Sequence, residues 1–154
     1  MELADLLSPD SVICNLRAAS KKLVLQDLAR RAAVATGLSE RAIFDTLLER
    51  EKLGSTAVGH GIAIPHGKFT GLDRLYGLIA KLEQPIDFDS ADDRPVDLVF
   101  LLLAPEAAGA DHLKALAKVS RLLRDKGVCE RLRHTKSSSS LYDLVTKPQP
   151  ANHN

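Results

Sequence analysis

Residues 61–68, GIAIPHGK, place an ionisable imidazole between a proline and a glycine. Pro65 fixes its own φ and favours an extended Ile64, so the backbone presents His66 at a defined place. Gly67 allows the backbone to approach a bulky ligand closely. A free imidazole, with a pKa of about 6.5, is largely unprotonated at neutral pH and can attack an electrophilic phosphorus. This pattern predicts a nucleophilic His66; the alternative is an ordinary loop histidine.

Two nucleotide-binding patterns are close to this segment, and neither fits it. A Walker A loop would need one residue fewer between Gly61 and the glycine–lysine pair, and a Ser or Thr where Phe69 stands. The dinucleotide fingerprint would need a glycine or alanine at the position of Ile64. We therefore expect no nucleotide cofactor.

Metal and serine-hydrolase chemistry are also disfavoured. His60, His66 and His112 lack the spacing of a zinc site, and no HExxH pattern occurs. No GxSxG segment is present to expose a nucleophilic serine. We expect neither a metal nor any other cofactor.

The composition of the chain narrows the remaining classes of function. Its 154 residues are 45% hydrophobic, enough for one sizeable core, and its formal net charge is +1. Nucleic-acid binding is not expected, because the chain lacks a strong basic excess and only 4% of its residues are aromatic. Cys14 and Cys129 form no CxxC pair and are expected to be reduced thiols.

The ends of the chain and its apolar runs predict a cytoplasmic location. Glu2 and Asp5 stand where a signal peptide would carry positive charge. The longest apolar run, residues 98–104, is far shorter than the roughly 20 residues needed to cross a bilayer. We predict that this run is a buried strand.

Hydrophobic periodicity and capping residues predict the elements that position His66. Ser20 and Ser39 cap two helices, the first of which ends at Gly37. Residues 57–64 fit a hairpin or two short strands. Strands follow at 74–82 and 97–104, separated by turns at 83–95 in which Ile86 and Phe88 are buried.

The second half of the chain is predicted to be largely helical. A helix over residues 109–126 is expected to be capped by Asp111, to end at Gly127, and to point Leu113, Leu116, Ala117 and Leu123 inward. Shorter helices follow at 129–133 and 141–145, the latter capped by the serine run.

These elements predict an α/β fold. We expect a three-layer sandwich in which a mixed parallel and antiparallel sheet of about five strands has helices on both faces. Residues 1–146 would form a single domain, and residues 147–154 a disordered tail.

Three segments carry a resemblance to a known family. They are REKLGSTAVGHGIAIPHGK at residues 50–68, QPIDFDSADDRPVDLVFLLLAP at 84–105, and GADHLKALAKVSRLLRD at 109–125. Together they resemble the IIA components of the bacterial phosphoenolpyruvate-dependent phosphotransferase system, fructose/mannitol type. The nitrogen-regulatory branch is the nearest, and the resemblance covers roughly residues 3–146.

The resemblance implies roles for three residues. His66 matches the family's histidine that a histidine phosphocarrier protein phosphorylates, and Arg50 and His112 match its upstream arginine and downstream histidine. Arg50 has the fork of donors that neutralises charge on phosphoryl oxygens, although a helix-end salt bridge is an alternative. His112 lies in the first turn of a helix, which favours a neutral imidazole that can donate to phosphate; the alternative is a surface histidine.

Other residues near His66 are assigned supporting roles. Ser55 and Thr56 are candidate hydroxyl donors to phosphate, or they merely terminate the hairpin. Pro65 and Gly67 shape the backbone, and Lys68 adds positive potential. We also expect Ile62, Ile64 and Phe69 to form an exposed apolar rim on which the phosphocarrier protein docks.

Two functions follow from the resemblance. In the first, the chain is a nitrogen-regulatory switch whose phosphorylation changes its binding to targets such as a transporter, a sensor kinase or a stringent-response enzyme. In the second, it is a sugar-specific component that passes phosphate to a IIB domain for carbohydrate uptake. A binding module with an idle histidine is a weaker third interpretation, because Arg50, His66 and His112 are all retained.

Overall fold

The structure is a computed structural model that describes residues 2–147. Six strands and five α-helices follow two short 3₁₀ turns at Leu3–Asp5 and Pro9–Ser11. The strands are β1 (Val12–Leu16), β2 (Ala57–Gly59), β3 (Ile62–Ala63), β4 (His66–Phe69), β5 (Tyr76–Ile86) and β6 (Val96–Pro105). The helices are α1 (Lys21–Thr36), α2 (Glu40–Lys52), α3 (Ala110–Arg124), α4 (Lys126–His134) and α5 (Ser138–Thr146).

The strands form one mixed sheet in the order β1-β5-β6-β3-β2, and β4 also pairs with β6. Strand β6 runs antiparallel to β5 and parallel to both β3 and β4. The predicted mixed sheet is therefore confirmed. The sequence did not predict two of these strands: β1, which precedes the first helix, and β4, which begins at His66.

Both faces of the sheet are covered by helices, as predicted. Leu98 through Ala104 of β6 are fully buried, so this strand has no wet face. One core cluster joins the sheet to α1 and α2 and includes Leu28 and Leu47. The other joins it to α3, α4 and α5 and includes Val119 and Leu141.

The first two helices begin and end where the sequence predicts. The Ser20 and Ser39 hydroxyls accept hydrogen bonds from the backbone N–H groups of Leu23 and Ala42. Gly37 closes α1 in the left-handed conformation, with φ of 79°. Each end is therefore defined by local chemistry that the sequence displays.

The helix predicted over residues 109–126 is confirmed as α3, but its predicted end and cap are wrong. Helix α3 ends at Arg124, because Asp125 adopts an extended conformation and its carboxylate accepts from the N–H groups of Gly127 and Val128 to cap α4. Gly127 therefore begins a helix instead of ending one. Asp111 is not the cap either, since Gly109 precedes α3 and Asp111 lies inside its first turn.

The inward face of α3 is also rotated from the predicted one. Leu113 is 68% exposed, and Ala117 is exposed too. The buried residues are His112, Ala115, Val119, Leu122 and Leu123. This face turns His112 toward the sheet and leaves Leu113 on the surface.

Strand β5 extends beyond the predicted residues 74–82. It continues to Ile86 through a register shift that follows Lys81, and this irregularity accommodates Pro85 within the strand. Turn chemistry begins only after Ile86, where the Asp87 carboxylate accepts from the N–H of Asp89. The predicted burial of Ile86 and Phe88 is confirmed.

No helix within residues 2–147 combines the length and the apolar character needed to cross a membrane. The predicted disordered tail, apart from Lys147, lies outside the described residues.

The predicted apolar rim around His66 is wrong. Ile62, Ile64 and Phe69 are each at most 6% exposed and belong to the two core clusters. They were mistaken for rim residues because they flank His66 in sequence, whereas the sheet buries them on both of its faces.

We therefore predict that Phe69→Ala destabilises the fold. Removing a buried phenyl ring loses transfer free energy and leaves a cavity, at a cost of about 3–5 kcal/mol in the free energy of unfolding. Urea denaturation measures this cost. The neighbouring variant Lys68→Ala, at an exposed position, is the control and should change stability by no more than about 0.5 kcal/mol. Equal stability of the two variants would contradict the burial of Phe69.

Candidate functional site

The backbone from Ile62 to Phe69 runs parallel to β6 and keeps one pairing register with it. Ile62 pairs with Leu98 and His66 pairs with Leu102, so the offset between partners is the same on both sides of Pro65. The Pro65 carbonyl accepts from the N–H of Leu102 at 3.0 Å. His66 therefore begins a strand, whereas the sequence suggested that it follows one.

The alternation of side chains along this line decides which way His66 faces. Ile62 and Ile64 contribute to the core beneath α3, α4 and α5, and Phe69 contributes to the opposite core. Side chains two residues apart in a strand share a face, so His66 lies on the α3 face. Its ring centroid is 5.8 Å from that of His112, with the rings tilted by 58°. The structure thus brings together the two predicted histidines.

A backbone carbonyl fixes the tautomer of His66. Its Nδ1 lies 2.8 Å from the carbonyl oxygen of Ile64. Because a carbonyl oxygen only accepts, Nδ1 carries the proton in the neutral ring and Nε2 carries the lone pair. The ring is half-buried, so Nε2 is the nitrogen available to an electrophile.

His112 is buried with an unused polar atom. It is 7% exposed, and its Nε2 has no hydrogen-bond partner among residues 2–147. Burial lowers the pKa of His112 below its ordinary value, and the nearby His66 and Lys68 lower it further. A neutral imidazole with an unsatisfied nitrogen is suited to a hydrogen bond with a ligand oxygen, because leaving that atom unpaired costs free energy.

Arg50 lies in the last turn of α2, the helix that packs on the opposite face of the sheet from α3. Its Nη1 donates to the Gly54 carbonyl at 2.9 Å, and no ion pair of Arg50 occurs within the described part of the chain. The alternative of a helix-end salt bridge is therefore wrong. The methyl of Thr46, one turn earlier on α2, would lie 3.0 Å from a Cβ added at Gly67, so Thr46 packs against β4. Residues four apart share a helix face. Arg50 thus lies on the helix face that meets β4.

The hydroxyls of Ser55 and Thr56 are used within the fold. The Ser55 hydroxyl donates to the Phe88 carbonyl at 2.6 Å, and the Thr56 hydroxyl donates to the Glu51 carboxylate. A hydroxyl has one hydrogen to donate, so neither is free to donate to a phosphate. We therefore leave both out of the site.

Pro65 and Gly67 flank His66 and contribute to the site through the backbone, not through functional side chains. Pro65 is buried at the break between β3 and β4, in keeping with its predicted role. A Cβ on Gly67 would lie 3.0 Å from the Thr46 methyl and 3.3 Å from the Phe69 ring. The space that we expected Gly67 to leave for a ligand is instead filled by α2 and the core.

Two residues of this region were not singled out by the sequence. The Glu51 side chain is 3% exposed, and its carboxylate pairs with the ammonium of Lys21 at 2.9 Å. Glu51 stands in the run Glu49 to Lys52, which resembles an ordinary charged helix end. The available signal was its spacing from Ile43 and Leu47, eight and four residues earlier on the buried face of α2.

Comparison with known proteins gives one consistent family. The family model for the phosphoenolpyruvate-dependent sugar phosphotransferase system, EIIA 2, matches residues 5–147. A nitrogen regulatory protein of Bradyrhizobium diazoefficiens is 54% identical over 148 residues, which are 96% of this chain and 97% of that protein.

Solved structures show the same fold. The crystal structure of nitrogen regulatory protein IIA-Ntr from Neisseria meningitidis is 32% identical, with a TM-score of 0.89 over 94% of this chain and 99% of that one. The crystal structure of the mannitol IIA protein of Escherichia coli is 25% identical, with a TM-score of 0.75 over 90% and 98% of the two chains.

We predict that His112 makes the stability of the protein pH-dependent. Its pKa is lowered in the folded state, so below about pH 6.5 the unfolded chain takes up a proton that the folded protein does not. The free energy of unfolding should then fall as pH falls, by at most about 1.4 kcal/mol per pH unit for this group. Urea denaturation between pH 5 and 8 measures the slope.

Two variants identify the group responsible. His112→Gln should flatten this slope, because the titrating group is gone. His134→Gln removes an exposed histidine of α4 and should keep the slope of the unmodified protein. A His112→Gln variant with an unchanged slope would contradict the assignment.

Proposed function

We propose that this chain, which belongs to the EIIA 2 family of the phosphoenolpyruvate-dependent sugar phosphotransferase system, is a cytoplasmic regulator phosphorylated on His66. Its phosphoryl donor is a histidine phosphocarrier protein of the nitrogen branch. One observation carries the proposal: the Ile64 carbonyl holds Nδ1 of His66, which leaves Nε2 free beside the unpartnered His112.

The transfer is an in-line displacement at phosphorus. The Nε2 lone pair of His66 forms the new P–N bond while the P–N bond to the carrier's histidine breaks and its electron pair returns to the carrier's imidazole. The phosphoryl group then resides on Nε2 as a phosphoramidate. The proton stays on Nδ1, which donates to the Ile64 carbonyl throughout, so the ring can carry the positive charge of the transition state as an imidazolium held in place.

Arg50 and His112 act on the phosphoryl oxygens. The Arg50 guanidinium donates at most one of its five N–H groups to Gly54, which leaves others for the equatorial oxygens. His112, neutral and in the first turn of α3, donates through Nε2, and the helix N-terminus favours the same negative charge. Lys68 contributes positive potential from an exposed position.

The names of the relatives favour regulation over sugar uptake. The Bradyrhizobium and Neisseria proteins are both described as nitrogen regulatory proteins. Phosphorylation adds negative charge to the face that carries His66, and such a charge changes which protein surfaces can dock there. The regulated targets would be proteins such as a transporter, a sensor kinase or a stringent-response enzyme.

Sugar transport is the second candidate function. The similarity to the mannitol IIA protein supports it, and family members of this kind work with IIB partners. Efficient phosphoryl transfer from the phosphorylated chain to a purified sugar-specific IIB domain would favour transport.

Two exposed leucines are better candidates for the docking surface than the buried rim that the sequence suggested. Leu53 caps α2 three residues after Arg50 and is 84% exposed. Leu113 follows His112 and is 68% exposed. Apolar residues next to two groups of the site would exclude water from the phosphoramidate once the carrier docks.

The first experiment is an intact-mass assay. The protein is incubated with phosphoenolpyruvate, the matching enzyme I and its histidine carrier, and we expect an acid-labile gain of one phosphoryl group. His66→Ala should abolish the gain, whereas the exposed-histidine variant His60→Ala should keep it. NMR of the product should place phosphorus on Nε2. No gain with a carrier of proven activity would contradict the proposal.

The docking surface has its own test. Leu113→Glu should raise the KM for the phosphorylated carrier about tenfold, because a charge replaces an apolar contact at the centre of the interface. Val34→Glu is the matched control, since Val34 is 84% exposed on α1. Steady-state transfer rates measure both variants, and an unchanged KM for Leu113→Glu would remove this residue from the docking surface.

A further inference from the structure

We propose that Glu51 is a positioning residue for His66 and acts on it through Thr56 and Ile64. Glu51 itself does not touch the imidazole. The inference deepens the proposed function and rests on it for the kinetic test, although the tautomer of His66 can be measured without any phosphoryl transfer.

The Glu51 carboxylate is a buried charge with a full set of partners. It pairs with the Lys21 ammonium at 2.9 Å, and the Lys21 nitrogen also lies 5.0 Å from the centre of the Phe88 ring. Oε1 accepts from the backbone N–H of Thr56 at 3.0 Å, and Oε2 accepts from the Thr56 hydroxyl. Both hydrogens of Thr56 are therefore directed to one carboxylate.

Thr56 passes this constraint to His66 through two hydrogen bonds. Its carbonyl accepts from the N–H of Ile64 at 3.0 Å. The carbonyl of the same Ile64 accepts from Nδ1 of His66 at 2.8 Å. Glu51 on α2 thus fixes the orientation of Ile64 through Thr56. The Ile64 carbonyl in turn selects the Nδ1–H tautomer of His66.

Only a carboxylate satisfies this arrangement. Three donors converge on it: the N–H and hydroxyl of Thr56 and the ammonium of Lys21. A glutamine has one acceptor oxygen, and its NH₂ group would face a donor. Leaving a buried donor unpaired is costly, so Thr56 would move and release Ile64.

The same interaction also shapes the loop that Arg50 contacts. Glu51 follows Arg50 in the last turn of α2. The hydrogen bond that its carboxylate accepts from Thr56 closes a loop of four residues, 52–55. That loop contains Gly54, whose carbonyl accepts from Arg50. Glu51 thus connects two of the groups that act on phosphate.

The test compares four variants. Glu51→Gln and Thr56→Val each remove part of the relay, and Thr56→Val keeps the shape of the side chain. Thr56→Ser retains the hydroxyl and is the conservative rescue. Glu49→Gln is the control, because Glu49 is an exposed acid of the same helix that pairs with Lys52.

The first readout is the ¹⁵N chemical shifts of the His66 imidazole at alkaline pH, assigned by comparison with His66→Gln. The unmodified protein, Thr56→Ser and Glu49→Gln should show a single Nδ1–H tautomer. Glu51→Gln and Thr56→Val should show a mixture of tautomers. Should Glu51→Gln fail to fold, Thr56→Val decides. A single Nδ1–H tautomer in a folded Thr56→Val variant would overturn the proposal.

The second readout is the kinetics of phosphoryl transfer from the carrier. Misplacing the nucleophile should lower kcat by about 10- to 100-fold in Glu51→Gln and Thr56→Val, while KM for the carrier stays unchanged. A change in KM alone would also overturn the positioning role. If the unmodified protein takes up no phosphate, the proposed function fails, and the tautomer measurement still judges the role of Glu51.

Discussion

The burial of strand β6 on both faces is the constraint on which the rest of this structure depends. Its backbone N–H and C=O groups have no access to water, so each edge of β6 must be paired along its length. Strand β5 satisfies one edge, and residues 62–69 satisfy the other. The chain that carries His66 is therefore held in register by the central strand. Helix α3 places His112 beside it on one face, and α2, which carries Arg50, packs on the other face.

The site arises where that pairing is interrupted. Pro65 has no N–H to donate, so one rung of the ladder is missing between β3 and β4. The N–H of Ile64 bonds to the Thr56 carbonyl, in register with the Ala57–Ala63 pair of β2 and β3, and its carbonyl accepts from the His66 ring. The end of the β2–β3 pairing thus gives the imidazole an acceptor at a fixed place. The local rule for strands is broken at the point where chemistry is expected.

The elements that short-range sequence signals determine were predicted correctly. The elements that depend on tertiary contacts were not. The caps at Ser20 and Ser39 and the apolar run of β6 were predicted because each is visible within a few residues. Strand β4 was missed because its four residues, HGKF, have a single large apolar side chain and are a strand only beside β6. The residues of the site were selected by family resemblance, whereas physical chemistry alone left a loop histidine, a salt bridge and a surface histidine as alternatives.

The charges of the proposed site suit a phosphoryl group that is accepted from one protein and then transferred to another. His112 is neutral because burial lowers its pKa, so the one permanent cation of the proposed triad is Arg50. A second permanent cation at this position would bind a phosphorylated His66 more tightly, and ground-state binding of that kind slows the next transfer. In the proposed transfer, the incoming negative charge would raise the pKa of His112, since it opposes the effect of burial on the charged form. The proposed hydrogen bond from His112 would therefore strengthen as charge develops on the phosphoryl oxygens, and it would weaken again when the group leaves.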